Sequence, residues 1–173
     1  NGSSFGLYAF DEEFNKTLIE RNMRRDGPII SLKDDSFWLD KAAWTLPSNK
    51  WSDSYLSAPF EIKNSKNNTI TKQSQEAIDL LSAFRRGELS VSEVFDVEEL
   101  AKYIAISDLL GAGHGFLPFN SVFYYNPIIH RLQPLPDDAY SEYMTNDLSF
   151  RYDGNSEGAY LTQIANDFGF AEA

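Results

Sequence analysis

Residues 95–138 have the sequence FDVEELAKYIAISDLLGAGHGFLPFNSVFYYNPIIHRLQPLPDD, which combines a helix, a glycine-rich turn and a β-hairpin in one segment. Asp96 is a suitable N-cap, and two glutamates follow in the first turn, where the helix dipole favours negative charge. The helix is predicted to end in the glycine-rich turn 111–115. Apolar residues at helical spacing predict one buried face, formed by Val97, Leu100, Ala101, Ile104, Ala105 and Leu109.

The predicted hairpin lies between two oxygen-bearing side chains. Residues 122–125 and 131–135 are the two strands, and Asn120 and Asp137 lie just outside them. Mg²⁺ prefers oxygen ligands, and phosphotransferases of the kinase type place a metal-binding Asn and a metal-binding Asp in this order around a strand pair. The residues alone leave a second interpretation open, in which Asn120 caps a strand and the Asp137-Asp138 pair is a solvated turn.

Composition limits the classes of protein and of site that the chain can represent. Its 173 residues suit one domain. The absence of cysteine excludes disulfide scaffolds, iron–sulfur clusters, cysteine-ligated zinc and cysteine nucleophiles. A formal net charge of −11 argues against nucleic acid as a partner, since its binding needs clustered Lys and Arg. No apolar run approaches the roughly 20 residues of a membrane-spanning helix, so we expect no integral membrane segment.

The first part of the chain predicts two strands with one helix between them. Residues 5–10 and 29–32 are the strands, and Asp11 is predicted to cap the helix, which ends in a basic cluster containing Arg24 and Arg25. The Asn1-Gly2 pair is a hairpin turn signal. We therefore expect either that the partner of the first strand lies upstream of this chain or that one edge of the sheet is left open.

The segments on either side of the central region give weaker signals. Residues 34–62 contain either short strands or an ordered loop, and residues 63–72 are predicted to form an exposed loop. An apolar helical stripe begins near residue 74 and stops before Gly87, which suits a C-terminal cap. A final helix is predicted over residues 159–168.

Several of these segments resemble the CotH family of spore-coat-protein kinase-like proteins. Residues 1–12, NGSSFGLYAFDE, are similar to the family's NG hairpin strand, and the basic turn at residues 24–27 also fits. Residues 95–108 resemble the helix before the family's catalytic loop. Residues 120–127, NSVFYYNP, and 131–137, RLQPLPD, resemble its hairpin, which runs from an Asn to an Asp.

The resemblance implies a fold and a set of site residues. The fold would be α+β and atypical protein-kinase-like, and residues 1–173 would be one partial domain. Its strand-rich part with one helix would cover residues 1–65, and its mainly helical part, with the hairpin 121–136, would cover residues 66–173. By resemblance, Asn120 and Asp137 are the metal ligands, and the cofactors are ATP and Mg²⁺.

The chain departs from the family pattern in the loop before Asn120. Family members usually carry an Asp–Gly pair there, whose Asp is the expected catalytic base, whereas residues 112–115 here are Ala-Gly-His-Gly. His114 is therefore either the base, since imidazole titrates near neutral pH, or a structural histidine in the turn. Arg24 and Arg25 either contact the nucleotide phosphates or form a solvated helix end.

Three functions are consistent with these observations. The first is a CotH-like kinase domain that transfers phosphoryl from ATP to a protein hydroxyl. The second is a pseudokinase-like structural or interaction module with a coat or envelope partner. The third is a carbohydrate- or peptide-binding surface protein that uses Trp38, Trp44 and Trp51 as stacking platforms. The association of the family with spore coats and cell envelopes leads us to expect an exported or cell-surface location.

Overall fold

The structure is a computed structural model, and it describes residues 13–33, 57–65, 71–112, 115, 120–137, 163–164 and 167. Within these ranges the chain combines helices with an antiparallel sheet, so the predicted α+β class is confirmed. The strands are β1 (Ile29–Leu32), β2 (Phe60–Ile62), β3 (Val122–Asn126) and β4 (Arg131–Leu135). The helices are α1 (Lys16–Arg21), α2 (Lys72–Arg85), α3 (Val91–Val94) and α4 (Val97–Leu110).

One four-stranded sheet joins the two parts of the chain. Its strand order is β2-β1-β3-β4, and every neighbouring pair is antiparallel. The strand predicted at residues 29–32 and the hairpin predicted at residues 122–135 both form, because short apolar and aromatic runs bounded by turn residues suit a buried sheet. Asn64 fastens the end of β2 to β1, because its side chain accepts from the Ile29 N–H at 3.0 Å and donates to the Gly27 carbonyl at 2.8 Å.

The larger part of the core covers one face of the sheet. Ile30, Phe123 and Leu132 point to this side and pack with apolar residues of α2, α3 and α4. Their neighbours in the cluster include Ala77, Leu81, Phe84, Val91, Val94 and Leu100. The stripe predicted for α2 is therefore the one that packs on the sheet, and Thr71 caps the helix just before it.

The other face of the sheet is covered at its centre by α1. Ile19 packs there with Ile29, Val122 and Tyr124, all of which are nearly inaccessible to solvent. The N-terminus of α1 differs from the prediction, because Glu13 is not helical and Asn15 is the N-cap, accepting from the N–H groups of residues 17 and 18. An Asn side chain that satisfies two free helix N–H groups determines where the helix begins.

The residues between α3 and α4 join the helices to the edge of the sheet. Phe95 forms a parallel bridge with Leu132, and its ring lies against Phe84 and Phe123 at centroid distances of 5.1 and 5.4 Å. The Asp96 N–H donates to the Leu132 carbonyl at 2.9 Å. These contacts fix the start of α4 beside β4, so the helix runs from there towards Gly115.

The buried face predicted for α4 is only partly correct. Leu100 is 1% exposed and belongs to the core, but Ala101 and Ala105 are exposed and Leu109 is 68% exposed. The buried face of α4 is formed by Leu100 and Ser107, with Ile104 packed against the core, and the Phe95–Leu132 bridge fixes the start of the helix beside β4. Ala101, Ala105 and Leu109 lie off this face, so their apolar spacing does not lead to burial. Gly111, in the left-handed conformation, ends the helix as predicted.

Several predicted elements lie outside the described residues. They are the strand at residues 5–10, most of residues 34–62, and most of the final helix, of which only residues 163, 164 and 167 are described. Asp138, Trp38, Trp44 and Trp51 also lie outside them. The helices that the structure does describe include none with the length and apolar character needed to cross a membrane.

Candidate functional site

The β3–β4 hairpin brings the two predicted metal ligands to the same end of the sheet. In its register Val122 pairs with Leu135, the last pair before the strands separate. Asn120 comes two residues before Val122, and Asp137 comes two residues after Leu135. The two side chains therefore belong to adjacent arms of one ribbon at its open end, and both residues are partly buried.

Tyr103 of α4 lies at this open end of the hairpin. Its hydroxyl donates to the Gly115 carbonyl at 3.3 Å, and it lines a small pocket together with Gly115, Ser121 and Leu135. Burial and the nearby negative charge of Asp137 raise the pKa of the Tyr103 hydroxyl to about 12, against a smaller opposite effect from its hydrogen bond with Ser107. The side chain of Asp137 therefore acts electrostatically on the buried hydroxyl of α4.

The two oxygen-bearing side chains at the open end suit the coordination that Mg²⁺ usually has in phosphotransferases. That ion keeps several waters and binds through one or two protein oxygens together with substrate phosphates. Asn120 offers an amide oxygen and Asp137 a carboxylate oxygen. Over the described part of the chain, no group of three or more His, Asp or Glu side chains is arranged to hold a metal by itself. A metal held by Asn120 and Asp137 would take further oxygen ligands from water and from substrate phosphates.

Arg24 and Arg25 lie at a different place on the hairpin. Both line a cleft of about 460 Å³ whose other walls include Tyr124, Asn126 and Gln133, in the half of the hairpin nearer its turn. The Arg24 guanidinium carbon is 5.2 Å from the centre of the Tyr124 ring, and the Tyr124 hydroxyl donates to the Arg25 carbonyl at 2.7 Å. Tyr124 is the middle residue of β3, whereas Asn120 lies outside the strand, two residues before its start at Val122.

His114, the predicted base, lies outside the described residues, although its neighbour Gly115 is described. The other histidine, His130, lies at the turn of the hairpin, where its Nδ1 is 2.8 Å from the Tyr125 hydroxyl. The same hydroxyl donates to Glu76 of α2 at 2.7 Å. This cluster fastens the hairpin turn to α2 and is remote from Asn120 and Asp137, so His130 takes a structural role.

Tyr103 is the residue of this region that the sequence analysis missed. A signal was available, because Tyr103 follows Leu100 by three residues and so extends the buried stripe of α4. A buried tyrosine usually finds a partner for its hydroxyl, and the glycine-rich turn supplies the carbonyl groups that can accept. What the sequence could not supply is the proximity to Asp137, which depends on the path of β4.

Comparison with models of protein families, with curated proteins and with solved structures found no match for this chain.

Proposed function

We propose that this chain is part of a kinase-like domain of CotH type that binds ATP with Mg²⁺ and transfers a phosphoryl group to a protein hydroxyl. The observation that carries the proposal is the placement of Asn120 and Asp137 on the two arms of one hairpin, at its open end. Kinase-type phosphotransferases use an Asn and an Asp, on either side of a strand pair, as metal ligands.

Asn120 and Asp137 would hold the metal through their side-chain oxygens. A bound Mg²⁺ would neutralise the phosphate oxygens as charge develops on them during transfer. Tyr103 supports this end of the site, because its hydroxyl ties α4 to the Gly115 carbonyl in the loop that leads towards Asn120. The protein therefore contributes position and charge, which supply most of the catalysis in phosphoryl transfer.

The residue that would accept the proton of the substrate hydroxyl decides between an active enzyme and a pseudokinase. The sequence supplies His114 and no acidic residue between Ala112 and Gly115. A pseudokinase-like binding module is therefore the second candidate, and the lack of a carboxylate in this loop is what favours it. Replacement of His114 by Ala separates the two: loss of phosphoryl transfer with retained ATP binding supports a catalytic histidine.

Thermal unfolding with and without ATP tests the proposal directly. A ligand present at 100 times its Kd stabilises the folded state by about 2.7 kcal/mol. We expect millimolar ATP to raise the unfolding temperature when Mg²⁺ is present and to do so much less in EDTA. A chain that shows no shift at millimolar ATP with Mg²⁺ is not a nucleotide-binding domain, and the kinase proposal then fails.

A further inference from the structure

The cleft beside Arg24 contains an arginine whose charge is incompletely paired. The Nη1 atom of Arg24 is buried and has no hydrogen-bond partner among the described residues, while its Nη2 atom lies 4.0 Å from the Glu99 carboxylate. The side chain is only 26% exposed, so water reaches little of it. Because a buried charged donor without a partner is costly, the position favours a ligand that accepts from it.

Glu99 does not neutralise Arg24, because another cation holds it more closely. Lys102 lies 3.1 Å from one Glu99 oxygen and 2.7 Å from Glu98, whereas Arg24 is 4.0 Å from the other Glu99 oxygen. The carboxylate is thus shared by two cations, and Arg25 adds a further positive charge at the cleft. The charged side chains that line the cleft are therefore two arginines and one glutamate, in a protein whose formal net charge is −11, and Asp26 adds a negative charge near Tyr124.

The conformation of the chain after α1 aims Arg24 into the cleft. The Met23 N–H donates to the Glu20 carbonyl at 3.0 Å and the Arg24 N–H donates to the Ile19 carbonyl at 3.1 Å, which is the Schellman pattern of helix ends. It requires Met23 to adopt a left-handed φ of 52°, which favours glycine. The guanidinium of Arg24 then lies over the ring of Tyr124, which forms the floor of the cleft.

The other side chains of the cleft supply donors in a suitable number. The Asn126 Oδ1 accepts the Ile128 N–H at 3.0 Å, so the amide presents its Nδ2 donor on the other side. The Gln133 amide is held by its donation to Asp96 at 2.7 Å. Arg24, Arg25 and Asn126 together offer more donors than a planar carboxylate can use, and a tetrahedral phosphate group has enough oxygens to accept from all three.

We infer that this cleft is a binding site for a phosphate group, separate from the metal site at Asn120 and Asp137. Tyr124, which lines the cleft, is the middle residue of β3, whereas Asn120 precedes the strand and does not line the cleft. Binding in the cleft needs no metal, because guanidinium groups supply the positive charge. The inference does not rest on the proposed kinase function, since phosphate can bind here whether or not the chain binds ATP.

Titration with inorganic phosphate in EDTA tests this inference, with blocked O-phosphoserine as a second probe and acetate as the carboxylate control. NMR spectra of the wild-type protein should show amide shifts at residues 23–26 and at Asn126 and Ile128, and binding of phosphate should exceed that of acetate. If blocked O-phosphoserine binds more tightly than inorganic phosphate, the phosphate group that the cleft recognises is part of a phosphorylated side chain. If inorganic phosphate binds more tightly than blocked O-phosphoserine, the ligand of the cleft is free phosphate.

Variants show which arginine carries the binding. Replacement of Arg24 by Gln should weaken phosphate binding about tenfold or more, as expected for a lost charge-assisted hydrogen bond. Arg21→Gln, which removes an exposed charge at the last residue of α1, should change it less than about twofold.

Three results would overturn the inference. The first is equal phosphate binding by the wild type and Arg24→Gln, or by Arg24→Gln and Arg21→Gln. The second is the absence of amide shifts at the cleft in the wild-type protein, which remains informative if Arg24→Gln fails to fold. The third is loss of Mg²⁺-dependent ATP binding in Arg24→Gln, since the cleft would then belong to the nucleotide site. Failure of ATP binding alone contradicts the kinase proposal and leaves this inference standing.

Discussion

Asn120 and Asp137 are placed symmetrically about the last pair of the hairpin, two residues before Val122 and two residues after Leu135. An amide oxygen and a carboxylate oxygen are thereby brought to the open end of one β-ribbon from positions 17 residues apart in the chain. The Asp137 charge lies near enough to Tyr103 of α4 to help raise the pKa of its hydroxyl, after the larger effect of burial. The presence of these two oxygen-bearing side chains at one end of the hairpin is the basis of the proposed metal site.

The ionisation of Tyr103 tests its proximity to Asp137. The pKa of this hydroxyl is about 12 in the folded protein, above its ordinary value of 10.0, because of burial first and the Asp137 charge second. Asp137→Asn should lower the pKa but not return it to 10.0, because burial remains. NMR titration of ring-labelled tyrosine measures the change. An identical titration curve in the variant would show that the two groups do not interact.

The same shift predicts how stability depends on alkaline pH. Because the folded-state pKa of Tyr103 is raised, its contribution to stability is complete below the unfolded value of 10.0. That contribution is lost as the pH rises from 10.0 towards 12. The free energy of unfolding of the wild type should therefore fall over this interval relative to that of Tyr103→Phe, since the phenylalanine variant has no hydroxyl to ionise there.

Substitution of two leucines of α4 tests whether the helix is buried as the structure shows or as the sequence predicts. Leu100 is 1% exposed and Leu109 is 68% exposed, although the sequence predicts both on one buried face. Leu100→Ala should lower the free energy of unfolding by about 2–5 kcal/mol, and Leu109→Ala should change it by less than about 0.5 kcal/mol. Chemical denaturation of the two variants measures both values. Similar losses of unfolding free energy in the two variants would mean that the Leu109 side chain is also buried.

Gly27 lies where the chain enters β1 against the hairpin, and it has no room for a side chain. A Cβ atom there would be 2.4 Å from the Tyr125 carbonyl oxygen and 3.0 Å from the Tyr124 ring. Because the first of these atoms is backbone and cannot move aside, Gly27→Ala should cost about 3 kcal/mol or more of unfolding free energy.

Gly87 provides the matched control for Gly27. It has a φ of +70°, and a Cβ added to it would meet nothing within 4 Å, so that Gly87→Ala should cost only the backbone strain of about 1–2 kcal/mol. Urea denaturation compares the two variants. If Gly87→Ala is the more damaging substitution, the close approach between residue 27 and the hairpin is incorrect.

The Glu76–Tyr125 hydrogen bond predicts a loss of stability in acid. Donation from Tyr125 is the main cause that lowers the pKa of Glu76 below its ordinary value of 4.5. The contribution of this lowered pKa to stability is complete above about pH 4.5 and disappears as the pH falls through the folded-state value. Tyr125→Phe should therefore reduce the denaturation midpoint at pH 7, and the difference from wild type should narrow at lower pH. A difference that stays constant down to about pH 3 would contradict this account.

The sequence predicted those parts of the fold that depend on local pattern. The run Ile29–Leu32 and the hairpin around Asn126-Pro127 form as expected, because apolar runs and turn residues specify strands and turns locally. The N-cap of α4 at Asp96 also follows from local chemistry. The order of Asn120, two strands and Asp137 was therefore sufficient to place both residues at one end of the ribbon.

The sequence could not predict features that depend on distant contacts. Pairing of β1 with both β2 and β3 joins residues far apart in the chain, and the bridge between Phe95 and Leu132 fixes the start of α4 beside β4. The predicted start of α1 is too early because Asp11 and Asn15 are both good caps, and local pattern does not choose between them. The separation of Arg24 from Asn120 likewise depends on how α1 packs on the sheet.

Calorimetric titration of ATP into the wild-type protein, Asp137→Asn and Asp79→Asn is the most direct test of the proposed metal site. Asp79 is an exposed carboxylate on α2, so its variant controls for the loss of one negative charge. We expect the wild type and Asp79→Asn to bind ATP at least about tenfold more tightly with Mg²⁺ than in EDTA, and Asp137→Asn to lose that dependence. Equal Mg²⁺ dependence in all three proteins would show that Asp137 is not a metal ligand, and would contradict the central claim.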